Sequence, residues 1–412
     1  MTSYLDFLRA NAHALFAGFA LAVLSSFGQT FFISVFAGAI LDDYGLSTGG
    51  WGALYLLGTT VSAGLMVFAG ALADRFRVRL LASWVLAGLA ASCLGMALGR
   101  SVILLPVIVL GLRFFGQGML SHLSGVAMAR WFTARRGRAL AVAGMGFAAG
   151  QALLPVVYVA LLESVGYRAL WTASAVLLLA LIWPLRRLLA AEPAPGDAAR
   201  SAPGAAGRIG GRHWSRAELL RLPLFWLLVP LLLASPTFGT ALFFLQVHLA
   251  ESRGWSHLGL VALFPVFTAA TVAAGLASGW AVDRFGAPRV LPWTAVPMAA
   301  GFALLWAAPG LLAAAPALAL IGLTTGTMGT VTPAFWAEEF GTRHVGAIKA
   351  LATAVLVFGS AVGPGLCGAL IDAGHDFTAQ MPWIALYTLL ASALAALALH
   401  RTPQAPHVPA VA

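Results

Sequence analysis

The sequence has few charged residues. Asp, Glu, Lys and Arg make up 9% of its 412 residues, whereas soluble domains carry about 25%. Hydrophobic residues make up 60% of the chain, and the mean hydropathy is +0.90. Such a composition excludes an ordinary soluble globular protein and indicates an integral membrane protein.

Cysteine and lysine are nearly absent. The two cysteines, Cys93 and Cys367, lie in different apolar segments, so a disulfide framework or a metal site is not expected. A phosphate-binding loop needs glycine directly before its lysine, but the single lysine, Lys349, follows Ile348. Since no Ser/His/Asp array has a usable spacing either, we expect neither an enzyme nor a bound cofactor.

Long apolar segments follow one another along the whole chain. A membrane-spanning helix needs roughly 20 apolar residues. Twelve segments qualify, and they predict an all-α protein with these spans: 14–38, 51–73, 80–98, 103–129, 139–162, 168–186, 223–248, 258–281, 290–308, 312–334, 346–370 and 382–400.

The two halves of the chain repeat each other at an offset of 209 residues. Matching glycines, prolines and charges recur only rarely by chance, so they indicate an internal duplication. The pairs are Gly70/Gly279, Asp74/Asp283, Arg75/Arg284, Phe76/Phe285, Gly137/Gly346, Gly150/Gly359 and Pro155/Pro364. We predict two pseudo-symmetric six-helix bundles, residues 1–189 and 222–412, joined by a flexible cytoplasmic connector, 190–221.

The formal net charge is +10. The positions of the basic residues along the chain indicate what this charge contacts. Twenty of the 24 basic residues fall in the tails and the even-numbered loops, as in cytoplasmic loops of membrane proteins. This distribution indicates contact with a lipid bilayer rather than with nucleic acid, and it predicts that both termini are cytoplasmic. The excess of arginine over lysine suggests a bacterial inner membrane.

Arg113 lies inside the fourth span, at a depth of about 15 Å. A charge near the bilayer midplane is costly and is by default a functional candidate. Gln117 lies one turn further on and shares its helix face. Because no acidic residue falls within the spans as an obvious partner, an anionic substrate is favoured. A structural or coupling role for Arg113 is the alternative.

Polar and aromatic residues interrupt the first and seventh spans at corresponding positions. Segments 25–32 and 235–240 both mix small, polar and aromatic residues, and interrupted helices at matching places in two halves point to a central binding site. The predicted substrate-binding residues, besides Arg113 and Gln117, are Gln29, Phe32, Gln151, Thr237, Phe238, Gln246 and Thr327. Packing through small residues, or threonine hydroxyls bonding to their own backbone, are the alternatives.

The fifth and eleventh spans carry glycines and a proline at repeated positions. Glycine permits close approach and proline removes a backbone hydrogen bond. We therefore assign packing or bending roles to Gly150, Pro155, Gly359, Gly363 and Pro364.

The loop Gly70-Ala-Leu-Ala-Asp-Arg-Phe-Arg-Val-Arg79 and its repeat from Gly279 resemble the loop signature of the major facilitator superfamily. That resemblance implies twelve helices and a cytoplasmic gate locked by these loops. The implied gating residues are Gly70, Asp74, Arg75, Arg79, Gly279, Asp283 and Arg284.

A weaker resemblance connects the chain to the monocarboxylate and oxalate/formate branch of that superfamily. It rests on the basic loop 135–138, on the glycines of the fifth span and on Gly363-Pro364 in the eleventh. The branch has a basic residue in its eighth helix, and the eighth span here has none.

These observations predict a monomeric secondary transporter or facilitator working by alternating access. Its substrate would be a small, monocarboxylate-like organic anion, with a co-transported proton or an exchanged anion. Two alternatives stay open. One is an efflux transporter for drugs or other neutral solutes, in which Arg113 is structural; the other is a membrane receptor or structural protein without transport.

Overall fold

The computed structural model describes residues 4–70, 72–132, 136–190, 207–341 and 344–402, and all regular structure within them is helical. The chain divides into two compact units, Met1–Arg200 and Ser201–Ala412.

Each unit contains six apolar helices long enough to cross a membrane. In the first unit they are α1, a bent pair of Ala12–Gly28 and Thr30–Tyr44, then α2 Thr48–Ala69, α3 Val78–Leu98, α4 Val102–Trp131, α5 Gly137–Val165 and α6 Tyr167–Leu188. In the second they are α7 Pro223–Phe244, α8 His257–Phe285, α9 Ala287–Ala307, α10 Leu311–Phe340, α11 Leu351–Asp372 and α12 Phe377–Arg401. The predicted all-α, twelve-span architecture is confirmed.

The first helix continues further than the sequence pattern predicted. The predicted span ends at residue 38, which would leave Asp42 and Asp43 in a loop, but α1 runs to Tyr44. Asp43 accepts hydrogen bonds from the Tyr167 hydroxyl and the Arg168 guanidinium. The carboxylate is thereby paired at the helix end, which hydropathy alone does not reveal.

A side-chain donor satisfies the C-terminal end of the third helix in each unit. The Tyr44 hydroxyl donates to the Gly99 carbonyl at 2.9 Å, and Arg253 Nη1 donates to the Ala308 carbonyl at 3.2 Å. The last carbonyls of a helix lack intrahelical partners, so such donors stabilise the end. The two donors are 209 residues apart, and so are the two acceptors. The same contact therefore occurs in both halves, although the donor side chains differ.

In the second unit, the segment that follows α7 is tied to the start of α12. His248 Nε2 lies 3.0 Å from Asp376 Oδ2, and the Thr378 amide donates to Asp376 Oδ1 at 2.7 Å. Burial alone would raise the pKa of Asp376, but the hydrogen bonds from Thr378 and His248 outweigh it and hold that pKa below its usual value.

Residues 207–214 pack against the C-terminal end of α10. Backbone amides of Arg208, Ile209 and Trp214 donate to the carbonyls of Glu338, Glu339 and Phe340, at 2.9, 3.1 and 3.0 Å. The last carbonyls of α10 lack intrahelical partners and therefore supply ready acceptors for this stretch of the predicted connector. Residues 191–206 of the predicted connector lie outside the described part of the chain.

A short helix, Arg216–Arg221, leads from this segment to α7. Ser215 and Glu218 form a reciprocal capping box at its start. The hydrogen bond from the Ser215 backbone amide is the largest of the effects that lower the pKa of Glu218.

Candidate functional site

The candidate site of the first unit is built on the break in α1. The helix tightens at Ser26–Gly28, and Gln29 is extended at φ −85° and ψ 152°. The two halves of α1 are bent by 50°. The Ser25 hydroxyl bonds to the Ala22 carbonyl at 2.7 Å and the Ser34 hydroxyl to the Thr30 carbonyl at 2.6 Å. Hydroxyls bonded in this way compete with the helix ladder and favour bending.

Two glycines let α4 cross this break at very short range. A Cβ on Gly28 would lie 2.0 Å from the Leu112 carbonyl oxygen, and one on Gly116 would lie 2.6 Å from Gly28 Cα. Here α4 is wound as a π-helix over Leu112–Leu120, a form that is often found at functional sites.

Arg113 points from this π-helical segment into the break. Its side chain is only 2% exposed. Nη1 donates to the Gly28 carbonyl at 3.3 Å and to Thr30 Oγ1 at 3.1 Å, while buried Nε has no hydrogen-bond partner. Its charge is therefore held by neutral dipoles, with no carboxylate in contact among the described residues.

Tyr55 of α2 completes this cluster, and the sequence analysis did not identify it. The Arg113 guanidinium lies over its ring at 5.3 Å, and the tyrosine hydroxyl is 2.6 Å from Thr30 Oγ1. The available signal was a tyrosine within an apolar span, opposite the polar segment of α1.

The other predicted residues of the first unit surround the same break at different depths. Gln29 forms the break itself, and Gln117 is half-buried on α4. Gln151, 7% exposed, follows Gly150, whose Cβ would lie 2.0 Å from Ser26 Oγ. Phe32 lies instead in an aromatic core, 4.7 Å from the Tyr158 ring and 5.4 Å from the Trp171 ring.

The second unit has a corresponding interruption in α7. Ser235–Gly239 form a π-helical turn that contains Pro236. A Cβ on Gly363 of α11 would lie 2.0 Å from the Thr237 carbonyl oxygen, and one on Gly359 would lie 2.9 Å from Thr237 Oγ1. Gly150, Gly359 and Gly363, for which a packing role is predicted, all lie at close approaches of this kind. Pro155 and Pro364 lie inside α5 and α11.

A cavity of about 410 Å³ lies between α7, α11 and α12. Phe238 is the predicted substrate-binding residue that lines it, with Leu366, Cys367, Leu370, His375, Ala379, Gln380, Trp383 and Ile384. Gln380 Nε2 donates to the carbonyls of Cys367 and His375 at 3.1 and 2.9 Å, whereas buried Oε1 has no partner. The wall of the cavity is thus mostly apolar.

Two further predicted residues lie away from these features. Gln246 follows α7 and is 1% exposed, with Oε1 3.4 Å from His257 Nε2. The Thr327 hydroxyl donates to carbonyls of its own helix, Leu323 at 2.9 Å and Thr324 at 3.0 Å. The backbone-bonding alternative therefore describes Thr327 in this structure.

The repeated loops are held by side chains in the C-terminal parts of α4 and α10. His122 Nε2 lies 3.2 Å from the Gly70 carbonyl, and Arg130 donates to the carbonyls of Ala73 and Phe76. In the second unit, Glu338 Oε2 accepts from the Ala287 amide at 3.0 Å. These contacts, absent from the predicted gating set, fix the backbone of each loop.

The predicted gating side chains themselves are largely exposed. Arg75, Asp283 and Arg284 are exposed and Arg79 is half-buried, while the Asp74 side chain lies outside the described part. Gly279 has no neighbour within 4 Å of a built Cβ among the described residues of its unit. No close helix approach explains that glycine within its unit.

Comparisons with known proteins agree with this architecture. The model of the Major Facilitator Superfamily matches residues 18–280 and again 249–411. None of the curated proteins matches the sequence significantly.

Among solved structures, the chain is similar to a bacterial homologue of the human lysosomal transporter Spinster. The inward-facing, unoccupied form has a TM-score of 0.72 at 17% identity, covering 95% of this chain and 97% of that one. The inward-facing, occupied form has a TM-score of 0.68 at 16% identity, with the same coverage. At this identity the likeness shows a shared fold. Because the family model matches nearly the whole sequence, the chain belongs to the major facilitator superfamily and is a membrane transporter, not an enzyme.

Proposed function

We propose that this transporter moves a small organic anion, such as a monocarboxylate, by alternating access. The observation that carries the proposal is the charge of Arg113, which is buried without a carboxylate in contact among the described residues. A buried charge without a counter-charge is costly. A bound anion would supply the missing charge.

The geometry of Arg113 suits a carboxylate. Nη1 is engaged by Gly28 and Thr30, but Nε has no partner. A guanidinium binds carboxylates through parallel N–H donors. Since the side chain is 2% exposed, substrate would reach Nε only after a local separation of α1 and α4 at the break.

A neutral or apolar solute is the second candidate substrate. The cavity beside Phe238 favours it, because its wall is mostly apolar. In that case Arg113 serves as a brace for the broken helix, through its bonds to Gly28 and Thr30.

Ligand-induced thermal stabilisation of the purified protein distinguishes the two candidates. Small carboxylates, neutral solutes and cations are screened against the wild type, Arg113→Gln, Arg113→Lys and Thr30→Val. Thr30→Val removes a hydrogen bond to Arg113 but keeps the charge, and is the matched control. A ligand at 100 times its Kd stabilises by about 2.7 kcal/mol.

We expect one carboxylate class to stabilise the wild type and Thr30→Val but not Arg113→Gln. Arg113→Lys should bind more weakly, because an ammonium lacks the planar fork. Uptake of that anion into proteoliposomes, with an imposed pH gradient or with anion loaded inside, then separates proton co-transport from exchange. Binding without flux would indicate a receptor.

The anion proposal is wrong if neutral solutes stabilise the wild type and Arg113→Gln equally. Loss of that stabilisation in Gln380→Leu would then assign the substrate to the cavity of the second unit. Arg113 would be a structural residue.

A further inference from the structure

We infer that the inner end of the first unit carries a binding site for the headgroup of an anionic phospholipid. A cavity of about 390 Å³ opens there, and its lining is Arg75, Phe76, Arg77, Arg79, Leu80 and Arg186. Four of these side chains are cationic, and no carboxylate is among the described residues that line it. The site is separate from Arg113 and does not depend on the substrate proposed above.

The four arginines come from two parts of the chain. Arg75, Arg77 and Arg79 lie between α2 and the first turn of α3, whereas Arg186 belongs to the last turns of α6. Like charges brought together by tertiary packing repel one another. Phosphate oxygens would offset that repulsion and match the fork of donors on each guanidinium.

The surroundings of the cavity favour a lipid over a soluble phosphate. Trp84 on α3 is 71% exposed and Trp183 on α6 is 61% exposed, each within about one turn of a lining residue. Exposed tryptophans are typical of the headgroup level of a membrane. The Arg187 guanidinium lies 3.6 Å above the Trp183 ring, so charge and aromatic surface meet at the same depth.

The rim of the cavity can also accommodate acyl chains. Phe76 and Leu80 are 44% and 43% exposed, and Leu80 lies one helical turn before Trp84 on the same face of α3. When the phosphate of a phospholipid lies among the arginines, its acyl chains can therefore lie along an apolar helix surface. The predicted cytoplasmic side of these loops is the leaflet where anionic lipids attract basic clusters.

The second unit provides a natural control for this site. At the repeat offset, Arg77, Arg79 and Arg186 correspond to Gly286, Pro288 and Ala395. A cavity of about 410 Å³ near that position is lined by Arg289 and His400 as its basic residues. The concentration of arginine is thus a property of the first unit and not of the repeated fold.

Lipid binding to the full-length protein tests the inference. Delipidated wild type, Arg77→Gln/Arg186→Gln and the control Arg289→Gln are titrated with phosphatidylglycerol or phosphatidylcholine, and bound lipid is counted by native mass spectrometry. Each arginine near a membrane surface contributes about fivefold to anionic lipid affinity, so the double variant should bind phosphatidylglycerol about 30-fold more weakly. The control should bind like the wild type.

Three results would overturn the inference. If the double variant bound phosphatidylglycerol as tightly as the wild type, the arginines would not form the site. If the wild type bound phosphatidylcholine as tightly as phosphatidylglycerol, the site would not require a negatively charged headgroup. Displacement of the lipid by millimolar inorganic phosphate or glycerol phosphate would reassign the cavity to a soluble phosphate. Melting temperatures without lipid show whether the double variant is folded like the wild type.

Discussion

Arg113 carries its charge into the bilayer region, while its hydrogen bonds go to a carbonyl and a hydroxyl. Both acceptors, Gly28 and Thr30, flank the break in α1. A continuous helix would keep the Gly28 carbonyl in its own ladder. The break frees that acceptor, so the local distortion and the buried cation stabilise each other.

Glycine at the tightest contacts is required by the neighbouring backbone. We expect Gly363→Ala to destabilise the protein by about 1–3 kcal/mol, as overpacked cores do, because the added Cβ would lie 2.0 Å from the Thr237 carbonyl oxygen. That acceptor is main chain and cannot rotate away. Thermal unfolding of the purified protein in detergent measures the change.

Gly279→Ala is the matched control for Gly363→Ala. Its Cβ meets nothing within 4 Å among the described residues of its unit, and alanine is favoured over glycine in helices by up to about 1 kcal/mol. Its melting temperature should equal or slightly exceed that of the wild type. If both variants have the same melting temperature and it lies below that of the wild type, the destabilisation comes from replacing glycine and not from the contact with Thr237.

At the scale of elements, α10 and the segment before α7 form one structural piece. Three backbone hydrogen bonds join them, and Arg208 Nη1 lies 3.3 Å from Glu339 Oε1. The Glu339 side chain is 0% exposed and that of Arg208 18% exposed. The carboxylate of this ion pair is therefore shielded from water, whereas its arginine is partly hydrated.

We expect Arg208→Ala to be more destabilising than Glu339→Gln. Removing the arginine leaves a buried charge without this counter-charge, which costs about 3–5 kcal/mol in comparable pairs. Removing the carboxylate leaves an arginine that can turn towards water. The double variant Arg208→Ala/Glu339→Gln should recover much of the loss, and a double-mutant cycle of thermal stabilities measures the coupling.

An additive cycle would contradict this account of the ion pair. If Arg208→Ala and Glu339→Gln cost similar amounts that simply sum in the double variant, the backbone hydrogen bonds alone hold the segment. The packing of residues 207–214 would then be independent of the charge on Glu339.

The interrupted helices α1 and α7 show how the duplication acts at this scale. Their distorted turns begin at Ser26 and Ser235, which are separated by the repeat offset of 209. Each turn packs against glycine of a partner helix, Gly150 in α5 and Gly359 in α11. The prediction of interruptions at corresponding places is confirmed, although one is a break and the other a π-helical turn.

For the whole molecule, the charge distribution predicts that both termini and the even-numbered loops are cytoplasmic. Variants with one added cysteine test this, since native Cys93 and Cys367 are buried. A membrane-impermeant maleimide added to intact cells should label Arg100→Cys, in the loop between α3 and α4. Ala190→Cys, after α6, should be labelled only after permeabilisation; the reverse pattern would invert the orientation.

The membrane class, the twelve spans and the duplication could be predicted from the sequence because each depends on local composition or on the spacing of residues along the chain. Apolar runs of sufficient length define the spans, and glycines and charges at a constant offset define the repeat. The same reasoning placed Arg113 deep in α4 and the interruptions in α1 and α7. These features depend on local composition and spacing, which do not require knowledge of any partner.

Only the tertiary structure decided which residues meet. Arg113 bonds to Gly28, 85 residues earlier in the chain, and Arg186 joins Arg75, Arg77 and Arg79 in one cavity. Residues 207–214, expected to be flexible, pack on α10. In a nearly uniformly apolar helix, hydropathy does not specify which side faces a neighbour. Close packing through small residues sets that rotation, and with it the partner of every polar side chain.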